Sequence, residues 1–502
     1  MKVYFGPLIA ALLIAIVGAC GEVAQPANDV PASTTPEAAP QISWFDGNAD
    51  QAFAAARAQQ KPLFLYWGAA WCPPCHELKA TVFQEPDFIR TSQQFIAVYL
   101  DGDTQGAQQQ AEKYDVMGYP TLVVFGADGN EIARIPNGLD LAAYSLVLAA
   151  VVNKLQPVEQ LLTQAENQQA LSTAECQALA LHSWSQDVNE RSADQLVAGL
   201  QASERQCPAD ASSERAALFL RRLIQTQSNE LTISPEQRSS AKQTLLAYFK
   251  EPEQLQSSFY LLLDSGEPLV TLFSDETAVN NEVLAGFDTL YSSMSADRAQ
   301  SLFRRIQSSR ALFGLRKRFA DTEELNQAIV TLAGQAQGME RGDPTFHATI
   351  NAAGNLLREA GLLEEARQLL TTESEKSKYA YYFMSELAHI EKLLGNDDRA
   401  LAHLEQAFKQ SRGPSTRFQW GVNYLKGLLE LDGNNLSLIE QQFETVFAEL
   451  GQSKDLYQRS RVRLGALREA VESWAEASPD RGALSQALVG LIAQYKVTPA
   501  NE

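Results

Sequence analysis

Basic residues are scarce in this chain. Its 502 residues hold 41 Lys and Arg against 61 Asp and Glu, a formal charge of −20. That balance argues against nucleic acid and against anionic lipid surfaces as partners. Cysteine is scarcer still, at five positions. No Walker loop, Rossmann glycine pattern or zincin helix occurs, so the phosphate-cradling, dinucleotide and metalloprotease classes find no support. The one basic-led apolar stretch, Val3 to Ala19, falls short of the ~20 residues that a membrane span needs. Alternating strand patterns almost vanish after about Pro157, where helical periodicity takes over. The length leaves room for two to four domains at ~100–200 residues each.

What is present centres on Trp71-Cys72-Pro73-Pro74-Cys75-His76. Two thiols stand one helical turn apart, just after the apolar run Pro62 to Trp67, which reads as a buried strand. The residues after Cys75 read as a helix. Cys72 then caps the helix N-terminus, where a thiolate is favoured and solvent is expected to reach it. Such a thiolate can attack a disulfide, and Cys75 can resolve the mixed disulfide. Pro73 and Pro74 fill the first helical positions, where proline is tolerated. Neither has an N–H, so the Cys72 thiolate depends on the N–H and thiol of Cys75 and on the helix dipole. Further on, Gly118-Tyr119-Pro120-Thr121 leads into the apolar run Leu122 to Phe125, and a proline there suits a cis peptide bond. Asp128-Gly129-Asn130 then predicts a hairpin turn into Glu131 to Ile135.

On these residues, 42–155 resembles the thioredoxin superfamily, and most closely the bacterial thioredoxin-like proteins with a Trp-Cys-Pro-Pro-Cys centre. The resemblance implies an α/β fold, a central mixed sheet flanked by helices. Its order here would be helix, strand, CxxC helix, strand from Phe95 to Leu100, helix, Pro-led strand, hairpin strand and helix. It also implies that the backbone at Tyr119, before a cis-Pro120, pairs with the substrate strand, and that Pro120 keeps metal from the dithiol. The buried Asp of the family, six residues before the first cysteine, is Tyr66 here. Its lysine partner corresponds to Ala97. The usual proton route is therefore in doubt, and His76, Glu77 or water would replace it. Trp71 is expected to cover the dithiol, or else to be a core aromatic. His76 is either idle and exposed or tunes the thiols.

At the N-terminus, Lys2, the apolar stretch and Val17-Gly18-Ala19-Cys20 mark an export signal. A cysteine after small residues resembles the bacterial lipoprotein box, which implies cleavage before Cys20 and lipidation of its thiol. An uncleaved anchor or an ordinary signal are the alternatives. All of them put the remainder outside the cytoplasm. Gly21, with no Asp in its place, favours outer-membrane sorting by analogy. Residues 21–41, rich in Ala, Pro, Thr and Glu, read as a disordered tether reaching about 25 Å. With Cys20 given to lipid and Cys72 with Cys75 to redox, Cys176 and Cys207 remain. In an oxidising compartment they are expected to bridge two neighbouring helices; two buried thiols or a second redox relay are the alternatives.

The helical remainder divides at about 340. Residues 156–340 show no clear register. In 341–502, Gly361 and Gly395 stand the ~34-residue period of tetratricopeptide repeats apart, as do Ala366 and Ala400. That part resembles a tetratricopeptide region, with a degenerate third unit near Asp432-Gly433-Asn434. An ordinary helical bundle is the alternative. Stacked helix pairs commonly hold peptides or partner proteins.

One competitor shares the motif. Cys72 to His76 is also C-x-x-C-H, the c-type haem attachment pattern, with Met117 on offer as a second ligand. The strand before the motif and the Pro-led strand after it count against haem. The expectation is a chain without cofactor or metal: an envelope-facing, periplasm-side, lipid-anchored thiol–disulfide oxidoreductase. It would act on protein thiols and disulfides with an upstream redox partner. A helical binding or assembly scaffold with a secondary redox head is the alternative.

Overall fold

The apolar run 63–68 is buried on both faces as β1 (Leu63–Gly68), which is why it reads as continuous rather than alternating. Its neighbours are β2 (Ile96–Asp101), β3 (Thr121–Phe125) and β4 (Glu131–Ile135). The sheet order is β2-β1-β3-β4. β1 and β2 run parallel, while β1–β3 and β3–β4 are antiparallel, with a register shift at Val124/Phe125. The computed structural model describes residues 41–135, 141–152, 155–184, 191–256, 258–275, 278–377, 380–450 and 456–495. The export signal, Cys20 and all of the tether but Gln41 lie outside the described residues.

Five helices surround the sheet: α1 (Ala49–Gln59), α2 (Pro73–Ala80), α3 (Pro86–Ser92), α4 (Gln105–Lys113) and α5 (Leu141–Val152). α3 is the one the sequence pattern passes over; Pro86 at its first turn starts it. One sheet face, through Leu65, Trp67, Val98 and Val123, packs on Ala52 and Phe53 of α1 and Ala107 of α4. The opposite face, through Phe64, Tyr66, Leu122 and Val124, packs on Leu78 of α2, Phe88 of α3 and Val147 and Leu148 of α5.

That second core does not stop at the sheet's helices. It continues into α6 (Val158–Glu166), α7 (Thr173–Leu181), α8 (Ala193–Gln206) and α9 (Ser212–Ser228) through Leu161, Leu179, Leu200 and Leu218. Backbone bonds join the two parts as well. The Ser183 N–H donates to the Arg134 carbonyl at 3.2 Å, and the Arg134 N–H donates to His182 Nδ1 at 3.3 Å. Residues 41–502 form one compact unit.

The rest is helical, joined by short turns. Between Phe346–Glu359 and Leu363–Ser374 the chain turns at Gly361 (φ +77°). Between Tyr381–Leu393 and Asp397–Gln410 it turns at Gly395 (φ +76°). Only glycine takes that conformation freely, so the two positions that set the sequence period are helix stops. Ala366 and Ala400 are buried. A Cβ on Gly354 would come within 2.7 Å of Leu370, so small residues let these helices close on each other. Among the described residues no helix is long and apolar enough to cross a membrane.

Candidate redox site beneath the helical body

Cys72 is the N-cap of α2, in extended conformation (φ −85°, ψ 106°). Its Sγ accepts the Cys75 N–H at 3.2 Å and is bonded to Cys75 Sγ, with the two Cα atoms 5.2 Å apart. Pro73 and Pro74 fill the first turn, so this N–H is the one early donor of the helix that reaches the sulfur. The Tyr119–Pro120 peptide bond is cis and opens β3.

Cys72 is not where the sequence places it relative to solvent. Its exposure is 2%, and Cys75 is fully buried. Trp71 precedes the pair and packs at once on the core of the head that holds both cysteines and on the C-terminal helices. The Trp71 Nε1–H donates to Asp103 Oδ2 at 2.9 Å. The other oxygen of that carboxylate accepts from Thr416 Oγ1 at 2.7 Å. Thr416 belongs to the helix Pro414–Leu431. At its N-cap, Gly413 (φ +83°) presses so near Asp103 that a Cβ would stand 2.3 Å from its Cγ. From the helix Gln458–Glu476, the Arg459 guanidinium stands 5.7 Å from the Trp71 ring and 4.9 Å from the Tyr119 ring. Arg461 pairs with Glu112 of α4 at 2.8 Å. The C-terminal helices thus pack on Trp71, Asp103 and Tyr119 around the redox centre, while Cys72 and Cys75 sit in the core of the head itself.

Tyr119 is fixed from below. Its hydroxyl donates to the Gly102 carbonyl at 3.2 Å and accepts from Gln108 Nε2 at 2.7 Å. Only glycine fits at 102, since a Cβ would meet the Tyr119 ring at 2.3 Å. Burial pushes the Tyr119 phenol up, and the Arg459 charge pulls it back. Burial also pushes the Asp103 carboxyl up, while hydrogen bonds from Thr416 and Trp71 oppose that rise.

The position of the missing Asp is apolar and aromatic. The Tyr66 ring meets Trp44, Phe83 and Tyr99 at 4.9–6.1 Å, with Ala97 buried beside them. The Lys79 amino group sits 4.3 Å over the Tyr99 ring. His76 is exposed, and its Nε2 lies 2.6 Å from the Ala70 carbonyl. Glu77 is pushed up to about 7, by burial first and by Asp343 second. Met117 is exposed. Among the described residues no group of three or more His, Cys, Asp and Glu side chains is placed to hold a metal ion.

Away from this site, Cys176 of α7 is bonded to Cys207 at the C-cap of α8, with Cα atoms 5.9 Å apart. Both are buried. Asp103, Thr416, Arg459 and Arg461 carry no signal in the sequence. Each is an ordinary polar residue, and only the fold brings them together.

A family model described as a thioredoxin-like domain matches residues 49–151. Residues 49–151 are a thioredoxin-like domain. Curated relatives are similar over the same part. The thiol:disulfide interchange protein DsbD of Cronobacter sakazakii is 32% identical over 96 residues, 18% of this chain and 17% of that protein. DsbD of Yersinia pestis is 31% identical over 93 residues, 18% of this chain and 16% of that protein. The match therefore spans about a sixth of these relatives' length. The solution structure of a thioredoxin from Thermus thermophilus is 24% identical, covers 22% of this chain and 88% of that chain, and has a TM-score of 0.21.

Proposed function

We propose that this chain is a thiol–disulfide oxidoreductase of the cell envelope, acting on protein substrates through Cys72 and Cys75. The observation that carries the reading is Cys72 Sγ at the N-cap of α2, accepting the Cys75 N–H and within bonding reach of Cys75 Sγ. The likeness to thiol:disulfide interchange proteins supports it.

In the reducing direction the Cys72 thiolate attacks one sulfur of a substrate disulfide. That bond breaks, and the departing substrate thiolate takes a proton from water. Cys75 then attacks Cys72 Sγ, so the mixed disulfide breaks and the second substrate thiolate leaves, taking the Cys75 proton by way of water. The substrate gains two electrons and the Cys72–Cys75 disulfide forms. An upstream redox partner restores the dithiol. The direction in the cell follows the potential of the partner and of the compartment. With Cys72 almost fully buried, a substrate sulfur reaches it only when Trp71 and the helices packed on it separate.

The export signal, lipidation at Cys20 and the tether put the domain on the periplasmic side of a membrane, with the outer membrane favoured by Gly21. The helices of 341–502 are read as tetratricopeptide-like pairs that help to dock proteins. The contacts of Thr416, Arg459 and Arg461 argue that this body works with the redox head rather than beside it.

Cys75→Ser in the full chain tests the reading. Cys72 then has no resolving thiol, so mixed disulfides with protein partners accumulate. If nothing is captured above a Cys72→Ser control, the assigned roles are wrong.

A further inference from the structure

We propose that Arg459 is a positioning residue of the redox centre: the helical body presents its guanidinium over the Trp71 and Tyr119 rings, where its charge stabilises the Cys72 thiolate. Three observations carry this. First, Pro73 and Pro74 leave the Cys72 sulfur one backbone donor, the Cys75 N–H. A centre so short of donors gains most from an outside positive charge.

Second, the placement is specific. Trp71 precedes Cys72 in the chain and Tyr119 precedes Pro120, and the two rings stand 6.3 Å apart. The Arg459 guanidinium lies within 5.7 Å of both ring centroids. Gln419 Oε1 accepts from its Nη2 at 2.6 Å and fixes the plane.

Third, Arg459 Nη1 is buried, and the guanidinium already acts on the Tyr119 phenol through its charge and a hydrogen bond, beside the cis-Pro120. A positive charge held partly out of solvent acts strongly on neighbouring ionisable groups. Reduction creates such a group, an anion, at Cys72, the residue after Trp71.

The other titratable and charged groups around the centre do not supply the charge. Asp103 and Asp101 at the end of β2 are acidic, and Tyr119 is a buried phenol. On α2, His76 is exposed and turned to the Ala70 carbonyl, while Glu77 faces Asp343. Arg461 is paired with Glu112. Arg463 stands beside Arg459 on the same helix, and its own pKa is lowered by burial and by the Arg459 charge.

The assignment deepens the oxidoreductase reading and rests on it, since it requires Cys72 to be the exchanging thiol. The test uses the full chain. Thiolate absorbance against pH gives the Cys72 pKa, and equilibration with glutathione gives the redox balance. Arg459→Gln is expected to raise the Cys72 pKa by about one unit, the low end for an opposite charge nearby. It should also shift the glutathione equilibrium toward the disulfide by up to about tenfold, because a less stable thiolate favours oxidation. Arg459→Lys, which keeps the charge, should stay nearer the wild type than Arg459→Gln.

Gln419→Glu offers a route that leaves Arg459 in place. A carboxylate on Nη2 offsets the charge and should move both readouts in the same direction as Arg459→Gln. This arm decides the matter if Arg459→Gln does not fold. An unchanged pKa and equilibrium in the neutral variant overturn the proposal. So do equal values for the Lys and Gln variants, or a slower exchange rate at unchanged pKa and equilibrium. If the wild-type chain itself exchanges no disulfide, the oxidoreductase reading has failed before Arg459 is tested.

Discussion

Thr416 donates to Asp103 at 2.7 Å across 313 residues of chain, and the other oxygen of the same carboxylate holds Trp71, the neighbour of Cys72. One half-buried carboxylate therefore ties Trp71, at the edge of the redox centre, to the helical body. Exchange with a protein requires this tie to open, so weakening it should help large reagents more than small ones. Thr416→Val removes a charge-assisted hydrogen bond of about 1.5–3 kcal/mol at most, of which about 1 kcal/mol or fivefold in rate is expected to appear. Reduction of the Cys72–Cys75 disulfide by a protein dithiol should speed up several-fold, and reduction by dithiothreitol by less. Equal or lower rates with both reagents would show that the contact does not limit access.

Replacing Pro73 with Gly should lower the Cys72 pKa by up to about one unit, because it adds an N–H in the first turn, where the sulfur now has the Cys75 donor alone. Glycine also loosens the turn. The donor is expected to win, because Cys72 and α2 are held by a buried strand on one side and by helices on the other. The disulfide should then become more oxidising. Thiolate absorbance against pH checks it; an unchanged or higher pKa would mean that this N–H is not aimed at the sulfur.

The core of the redox head was legible from local pattern. A buried strand, a CxxC helix start and a Pro-led strand are short-range signals, and Tyr66 and Ala97 stand where the family's charge pair would be. The contacts of the helical body at Trp71 were not legible. Asp103 sits in an unremarkable Asp-Gly-Asp-Thr turn, and Thr416 and Arg459 are single polar residues in helices. Their meeting depends on how some twenty helices stack, which no local pattern encodes. Cys72 reads as exposed because an N-cap is open to solvent unless another part of the chain covers it.

Glu77 should make stability fall as pH rises. Its folded pKa, raised from 4.5 to about 7 by burial and by Asp343, means that the folded state holds the proton more tightly than the unfolded one. The contribution is complete below about pH 4.5 and is lost as pH passes through about 7. Glu77→Gln should match the wild type near pH 5 and be the more stable at pH 8. Urea midpoints at the two pH values decide it, and parallel behaviour of the two proteins would contradict it.

Cys176 and Cys207, 31 residues apart in sequence and bonded in the fold, should stay joined in protein purified without reductant. Changing both to Ser is expected to cost roughly 3–4 kcal/mol of stability in the chain-entropy model. It should leave exchange at Cys72 intact, since the bond lies on α7 and α8, away from the dithiol. Peptide mapping without reduction that finds two free thiols would sink this.

Two-electron transfer from the full chain to a protein disulfide tests the central claim most directly. The chain, reduced and freed of reductant, is mixed with a disulfide-bonded protein, and mass mapping follows both partners. The account predicts that Cys72–Cys75 closes in step with opening of the substrate disulfide, that Cys176–Cys207 does not change, and that Cys72→Ser abolishes transfer. A Cys72–Cys75 pair that cannot be reduced, or that is reduced yet passes no electrons to protein, would contradict it.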